Sequence, residues 1–339
     1  MRSTRRRLVV MVKLAAAICH SDIHYMESAW GGVLPAVWAR PPAWSPTWKT
    51  GVTLAQPGDH VVVTLIRSCR RCYFCTQGQP HLCEASMPID ANGRLHTKDG
   101  RTILAAMRCG AFAESVVVHE SPDCARPARD AAGERLAAGL RRDHRAGAVV
   151  NTAHVPPGSS VVVIGAGGRR AQQRAGGAPG RRPAHHCAGP GRKQAGRGHK
   201  FWRHPHHQSP HRGRAEPGAG TDRQCGADFV FITAGSSRAI EQGATLMRNG
   251  GTLVIVGIPA TGIKLELEAA NFANDSQRVL GSKMGSTRLS VDIPKLVELY
   301  HEGRLKLDEL ITKSAIRWRR STRPLRRSIA KALRNVIIF

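Results

Sequence analysis

Acidic residues are scarce in this chain, aromatic residues are scarcer, and no apolar stretch is long enough to cross a bilayer. The last absence excludes a helical membrane span. With only 5% aromatic residues, any core must be built from aliphatic side chains. Against 24 Asp and Glu stand 51 Lys and Arg, which gives a formal charge of +27 and a pI near 11.1. Such an excess ordinarily points to a polyanionic partner. Its placement argues otherwise. Residues 169–225 hold 13 basic and 2 acidic residues, and residues 313–339 hold 9 basic and none acidic. Those two stretches carry +20 of the +27, and the remainder is charged like an ordinary soluble enzyme. A secretory signal is not recognised either. The opening MRSTRRRLVVMVKLAAAICHSD imitates one, but Lys13 breaks the apolar run and the segment passes straight into a polar motif. The expectation is a cytoplasmic protein whose nine cysteines serve metal binding or catalysis rather than disulfides.

What is present is enough for two domains with separate cores, since the chain has 339 residues and is 41% hydrophobic. Two kinds of text alternate along it. VVMVKLAAAICHSDIHYM, GVTLAQPGDHVVV, GAFAESVVVHE, AVVNTAHVPPGSSVVVIGAGG, GADFVFITAGSSRAIEQGATLMRNGGTLVIVGIP and DIPKLVELYHEGRLKLDELI are orderly, with β-branched runs bounded by Gly, Pro and Asp that predict strands. SSRAIEQGATLMRNGG predicts a helix with a serine cap and a glycine stop. Between them, roughly at 36–49, 124–146, 169–225 and 315–332, lie Arg-, Pro-, Gly-, His- and Trp-rich stretches without a period. Five of the six tryptophans fall there, and by composition these stretches read as basic linkers.

Cys69, Cys72, Cys75 and Cys83 stand as C-x2-C-x2-C-x7-C in SCRRCYFCTQGQPHLC. Four thiolates so spaced can close a tetrahedral zinc site of the structural kind, in which no position is left open. The bland reading is four free thiols. Upstream, ICHSDIHYM offers Cys19, His20, Ser21, Asp22 and His24, a weak signal alone. Downstream, VVVIGAGG is a buried-type strand running into a glycine turn, where Gly165, Gly167 and Gly168 would let a dinucleotide pyrophosphate approach backbone amides. GADFVFITAG and GGTLVIVGIP supply two more parallel-type strands ending in glycine.

Taken together these motifs resemble the zinc-dependent alcohol dehydrogenases, the medium-chain dehydrogenase/reductase family, over nearly the whole chain. The resemblance implies an α/β protein: a β-rich, GroES-like catalytic domain over 1–153 with the four-cysteine lobe at 69–83, a doubly wound Rossmann nucleotide-binding domain over 154–285, and a return to the catalytic domain over 286–339. It implies hydride transfer from a primary or secondary alcohol to NAD or NADP, a small alcohol or aldehyde as partner, and a homo-oligomer. It makes Cys19 a ligand of a catalytic zinc and Ser21 and His24 a proton relay. His20, Gly165, Gly167, Gly168, Ile258 and Arg334, the last in the closing LRNVIIF, become cofactor-binding residues. Asp22 matches a group that orients the zinc-bound histidine, and Cys69, Cys72, Cys75 and Cys83 become the structural zinc ligands. Zinc would act as a Lewis acid on the alcohol oxygen.

The sequence departs from the family's pattern at definite places. VWARPPAWSP stands where L-G-H-E-x-A-G belongs, and LAAGLRRDHR where L-L-G-C-x-V-T-T-G belongs, so the catalytic zinc lacks its His, Glu and second Cys. Arg170 replaces the third glycine of the dinucleotide turn, and RRPAHHCAGPGRK shows no acidic residue for the ribose. Stepping one nucleotide along the codons accounts for each. KFWRHPHHQSP then allows F-G-A-T-H-T-I-N and GLRRDHR allows G-C-G-V-T-T-G; Trp38 to Lys49, read one nucleotide earlier, allow L-G-x-A-A-G-V-V-x-D-V-E, short by about one codon where His-Glu belongs, and WRRSTRP allows L-E-E-I-N-E-A. These segments read as family sequence translated out of frame. Their histidines and arginines are then by-products of G+C-rich codons, with no specific nucleic-acid site. Residues 169–225 are accordingly expected to build none of their share of the sheet, and activity is expected to lie far below that of an intact member. Two readings compete with this: a basic, non-enzymatic zinc protein contacting nucleic acid, and the product of a decayed gene.

Overall fold

The computed structural model describes residues 9–13, 15–17, 21, 24, 27–30, 36–37, 64–86, 95–96, 99–100, 102–105, 110, 115–119, 146–165, 185–188, 226–305, 313–317 and 335–338. The chain divides into two compact units, one of residues 1–141 with 287–339 and one of residues 142–286.

The first unit is built from short strands. β1 (Val9–Lys13) is followed by β2 (Ala15–Ala17), β3 (Ala36–Val37), β4 (Leu95–His96), β5 (Thr102–Ala105) and β6 (Ser115–His119). β1 and β6 run antiparallel with Val10 opposite Val118 and Val12 opposite Val116. Val116 and Val118, two residues apart, are both buried, as the period of a half-buried strand requires. β3, β5 and β4 form a second small sheet in that order. α1 (Tyr73–Thr76) lies in the four-cysteine lobe.

The second unit holds one parallel sheet of β7 (Val161–Ile164), β8 (His185–Ala188), β9 (Ala227–Ile232), β10 (Met247–Ile255) and β11 (Arg278–Gly281), ordered β11-β10-β9-β7-β8. Parallel strands are buried on both faces and read as continuous apolar runs. VVVI of β7 is buried at every residue. Val162, Ile164, Val230, Ile232 and Leu253 pack on one face with Ile240 of α2 (Ser237–Ala244). Val161, Val163, Phe231 and Val254 pack on the other with Ala148 and Val149, which sit on a wide turn of helix at Ala148–Thr152. Gly243 lets α2 lie close on the sheet, because a Cβ there would stand 2.4 Å from Ile232 Cδ1. After α3 (Ala269–Asn274) and β11 the chain returns to the first unit, where α4 (Leu289–His301) buries Ile293 and Val297. There β12 (Lys313–Arg317) and β13 (Asn335–Ile338) join β2 in a third small sheet, ordered β12-β13-β2.

Two expectations are corrected here. Residues 169–225 do contribute to the sheet, because His185–Ala188 pairs in parallel with all of β7. An edge strand needs only one neighbour's hydrogen-bond ladder, so β7's exposed row of amides and carbonyls can recruit four residues of almost any composition. The helix of SSRAIEQGATLMRNGG begins after Ser236 as expected but ends at Ala244, short of the glycines. Met247 is already paired with Ala227, and Gly250, with φ 72°, serves the irregularity between Met247 and Thr252 instead.

The sheet's N-terminal end is pinned by one carboxylate. Asp228 Oδ2 accepts hydrogen bonds from both the backbone N–H and the hydroxyl of Ser160 at 2.7 Å, and its Oδ1 pairs with Arg248. Three strands thus start in register from one side chain. Asp228→Ala, which strands these donors, is expected to cost about 1–3 kcal/mol, read as a lowered urea midpoint with an unchanged m-value.

Candidate functional site

The lobe entered at residue 64 brings four sulfurs together. Arg67, almost fully buried, donates from Nη1 to the carbonyls of Thr64 at 2.6 Å and Ile66 at 3.2 Å, fixing the approach. Cys69 leaves it, Cys72 and Cys75 flank and occupy α1, and Cys83 follows the turn Pro80–Leu82. The Sγ atoms of Cys69, Cys72, Cys75 and Cys83 all lie within 4.8 Å of one another. Cys69 and Cys75 are 4.0 Å apart and Cys72 and Cys83 3.9 Å. A tetrahedron with Zn–S bonds of about 2.3 Å has edges of about 3.8 Å, so the donor set fits zinc in number, kind and spacing.

The surroundings complete the site. The backbone N–H of Cys72 donates to Cys69 Sγ at 3.3 Å and that of Cys69 to Cys83 Sγ at 3.4 Å. Ser68 Oγ, a partner the sequence pattern does not flag, lies 3.5 Å from Cys75 Sγ. The thiols therefore differ. The Cys75 backbone N–H, with that of Glu84, brings the Cys72 thiol down to about 6. The Arg71 N–H lowers Cys69, and burial pushes Cys83 up to about 12. Cys72 is thus the more acidic of the two thiols and Cys83 the less acidic.

A second convergence lies at the C-terminal ends of the parallel strands. Numbering the five strands by sequence, their spatial order is 2-1-3-4-5, and the order reverses between β7 and β9. In open parallel sheets a ligand enters the crevice at that reversal. Gly165, with φ 116°, ends β7 there, and a Cβ on it would stand 2.2 Å from Thr233 Oγ1. Thr233 donates from its backbone N–H at 2.8 Å and its hydroxyl at 3.1 Å to the Ile164 carbonyl. A Cβ on Gly257 would stand 2.7 Å from Ala234 C, and one on Gly235 2.4 Å from the Ile258 carbonyl. At Gly165 the Thr233 hydroxyl fills the space a side chain would need, and at Gly235 and Gly257 backbone packs directly on backbone, so these glycines let the strand ends close on one another. Ile258 itself is 59% exposed at the rim. Thr233, Gly235 and Gly257 escape a motif search, although each follows a strand ending in ITAG or IVG, and strand ends are where such crevices form.

Ser21 and His24 are helical, and the His24 ring lies 5.1 Å from that of Trp30. Cys19, His20, Asp22, Gly167, Gly168 and Arg334 lie outside the described residues. Among the described residues the four cysteines form the one cluster able to hold a metal, and no helix is long and apolar enough to cross a membrane.

Residues 6–127 match the alcohol dehydrogenase GroES-like domain and residues 219–302 the zinc-binding dehydrogenase domain, together well over half of the chain. The chain belongs to the zinc-dependent medium-chain alcohol dehydrogenase family. An alcohol dehydrogenase class-3 of Cereibacter sphaeroides is 29% identical over 89% of this chain and 85% of its own. Benzyl alcohol dehydrogenase of Acinetobacter calcoaceticus superposes with a TM-score of 0.79 at 21% identity, covering 99% and 93% of the two chains. An alcohol dehydrogenase of E. coli CFT073 complexed with NADH superposes with a TM-score of 0.71 at 16% identity, over 98% and 92%. The fold is accordingly the GroES-like domain joined to a Rossmann-like one.

Zinc titrated into metal-free protein at pH 7.5 is expected to release fewer protons than the four thiols would supply, because Cys72 has already lost its own; Cys83 is one source. An indicator-dye titration in weak buffer checks this. Replacing Cys83 by Ser should abolish stoichiometric zinc in elemental analysis.

Proposed function

We propose that this protein is an NAD(P)-linked oxidoreductase of small primary or secondary alcohols and the matching aldehydes, working well below the rate of an intact family member. The observation that carries the reading is the reversal of strand order between β7 and β9, where β7 ends on Gly165 with φ 116°. A bound nicotinamide cofactor supplies the hydride-accepting ring. The chain's own contribution is to bring backbone at Gly165 against the cofactor and to border it with the Thr233 strand end and the exposed Ile258. The E. coli relative complexed with NADH supports a dinucleotide as the occupant.

The low rate follows from the zinc that would polarise the alcohol. The four-cysteine set is closed, since four sulfurs fill a tetrahedron and leave no position for substrate. A second, open zinc would need Cys19 joined by a histidine and another cysteine, and the segments that should provide them read VWARPPAWSP and LAAGLRRDHR. Ser21 and His24 are proposed as the path by which the alcohol proton leaves, and Arg334 and His20 as cofactor phosphate contacts.

The test is a paired measurement on zinc-replete protein. Cofactor binding, followed by the fluorescence of NADH and NADPH, is expected to be retained. Turnover of a primary alcohol is expected below about 1 s⁻¹, the lower end of ordinary enzyme rates. Turnover of hundreds per second, or two tightly held zincs per chain, refutes the impaired reading; absence of any cofactor binding refutes the dehydrogenase itself. Gly165→Val, which adds strain at φ 116° and meets Thr233, should weaken cofactor binding at least tenfold while zinc content stays constant.

A further inference from the structure

Between β10 and α3 the chain carries a strand pattern that it does not pair. IKLELE, residues 263–268, alternates apolar and charged side chains with the period of a half-buried strand. Here it is neither helix nor strand. It leaves the turn at Gly262, where φ is 88°, and ends at Glu268, the extended residue that precedes α3. Its apolar side chains are not covered by a core: Ile263 is 41% and Leu265 36% exposed, with Lys264 and Glu266 exposed beside them. Among the described residues the segment's backbone is held only at its two ends. The Ile263 N–H donates to the Ala260 carbonyl at 3.4 Å and the Asn271 N–H to the Glu268 carbonyl at 3.2 Å, and nothing takes up the amides and carbonyls of 264–267.

Unpaired backbone with apolar side chains at every second residue is a template for another strand. The side chains say which strand. Across a two-fold axis the segment meets itself antiparallel. A centre on Lys264 or on Glu266 sets that charge against its own copy, and a centre on Leu267 sets Glu266 against Glu268. Like charges directly opposite one another work against pairing. A centre on Leu265 avoids every such clash. Leu265 then meets Leu265, Ile263 meets Leu267 and Lys264 meets Glu266, so each apolar residue faces an apolar one and each lysine a glutamate. A foreign strand would have to reproduce that pattern, whereas a second copy of this chain brings it. We propose that the protein is a two-fold homodimer joined by antiparallel pairing of residues 263–267 with Leu265 on the axis. The contact lies wholly within the second unit, and it does not rest on the cofactor reading.

Sedimentation equilibrium of the zinc-replete full-length chain tests this without any turnover measurement. The unaltered chain is expected to be a dimer that dissociates on dilution. Lys264→Glu sets carboxylates opposite one another on both sides of the axis and should raise the dissociation constant roughly tenfold or more; Glu266→Lys should do the same with ammonium groups. Making both exchanges in one chain restores every opposite pair, and that chain should dimerise within about threefold of the unaltered one. An equimolar mixture of the two single variants should form a mixed dimer for the same reason. Leu265→Lys, which brings two charges together on the axis, should leave the chain monomeric. Zinc content and far-ultraviolet circular dichroism are the folding controls, and all these positions are exposed within one chain. Were a single-charge variant to lose its zinc, the doubly exchanged chain and Leu265→Lys would decide. The proposal is overturned by a monomeric unaltered chain, by a dimer that Leu265→Lys or Lys264→Glu leaves intact, or by a doubly exchanged chain as weak as either single variant.

Discussion

The second unit depends on how closely the backbones of β7, β9 and β10 meet at their C-terminal ends. Thr233 ties β9 to the last carbonyl of β7 with two hydrogen bonds, and Gly257 brings the exit of β10 within Cβ distance of the same turn. The close meeting of these strand ends follows from that approach. A side chain at Gly165 or Gly257 would wedge the strand ends apart. At the opposite end Asp228 gathers Ser160 and Arg248, so the same strands are held in register from both ends.

The four-cysteine lobe obeys different physics. It has almost no apolar core: His81 is buried within it, Tyr73 is 72% exposed and the cysteines are partly exposed. Its order comes from short-range geometry, with Arg67 fixing the entry and backbone amides pointing at sulfur. Metal binding there is folding free energy gained by a handful of residues, which makes the lobe nearly indifferent to damage elsewhere in the chain. The sheet lacks that insulation, because each of its strands relies on distant sequence for its neighbours.

The difference explains what could be read in the sequence. The lobe is legible outright, since ligand identity and spacing sit within fifteen residues, Cys69 to Cys83. β7, β9 and β10 are legible because VVVI, DFVFI and TLVI are buried on both faces and look it. The strand His185–Ala188 is illegible: nothing in HHCA has strand character, and only the unsatisfied edge of β7 explains its pairing. The early end of α2 is hidden for a related reason, because Met247 is claimed by its partner Ala227 before the local glycine signal can act. Thr233 and Gly257 are visible as residues, but Thr233 acts on Ile164, 69 residues earlier, and Gly257 packs on the Thr233 strand end, contacts which no local pattern records.

The chain's charge can coexist with this fold because the two occupy different residues. The buried positions of the parallel sheet are uncharged, chiefly Val, Ile, Leu, Phe and Ala with Met247, Gly251 and Thr252, whereas +20 of the charge lies in 169–225 and 313–339. Charges confined to connecting segments repel one another through water, where screening limits each pair at physiological salt. Substitutions confined to 189–225 and 318–334 leave the buried residues of β7, β9 and β10 untouched. Fold and chemistry were written in different parts of this chain, and they can be lost separately.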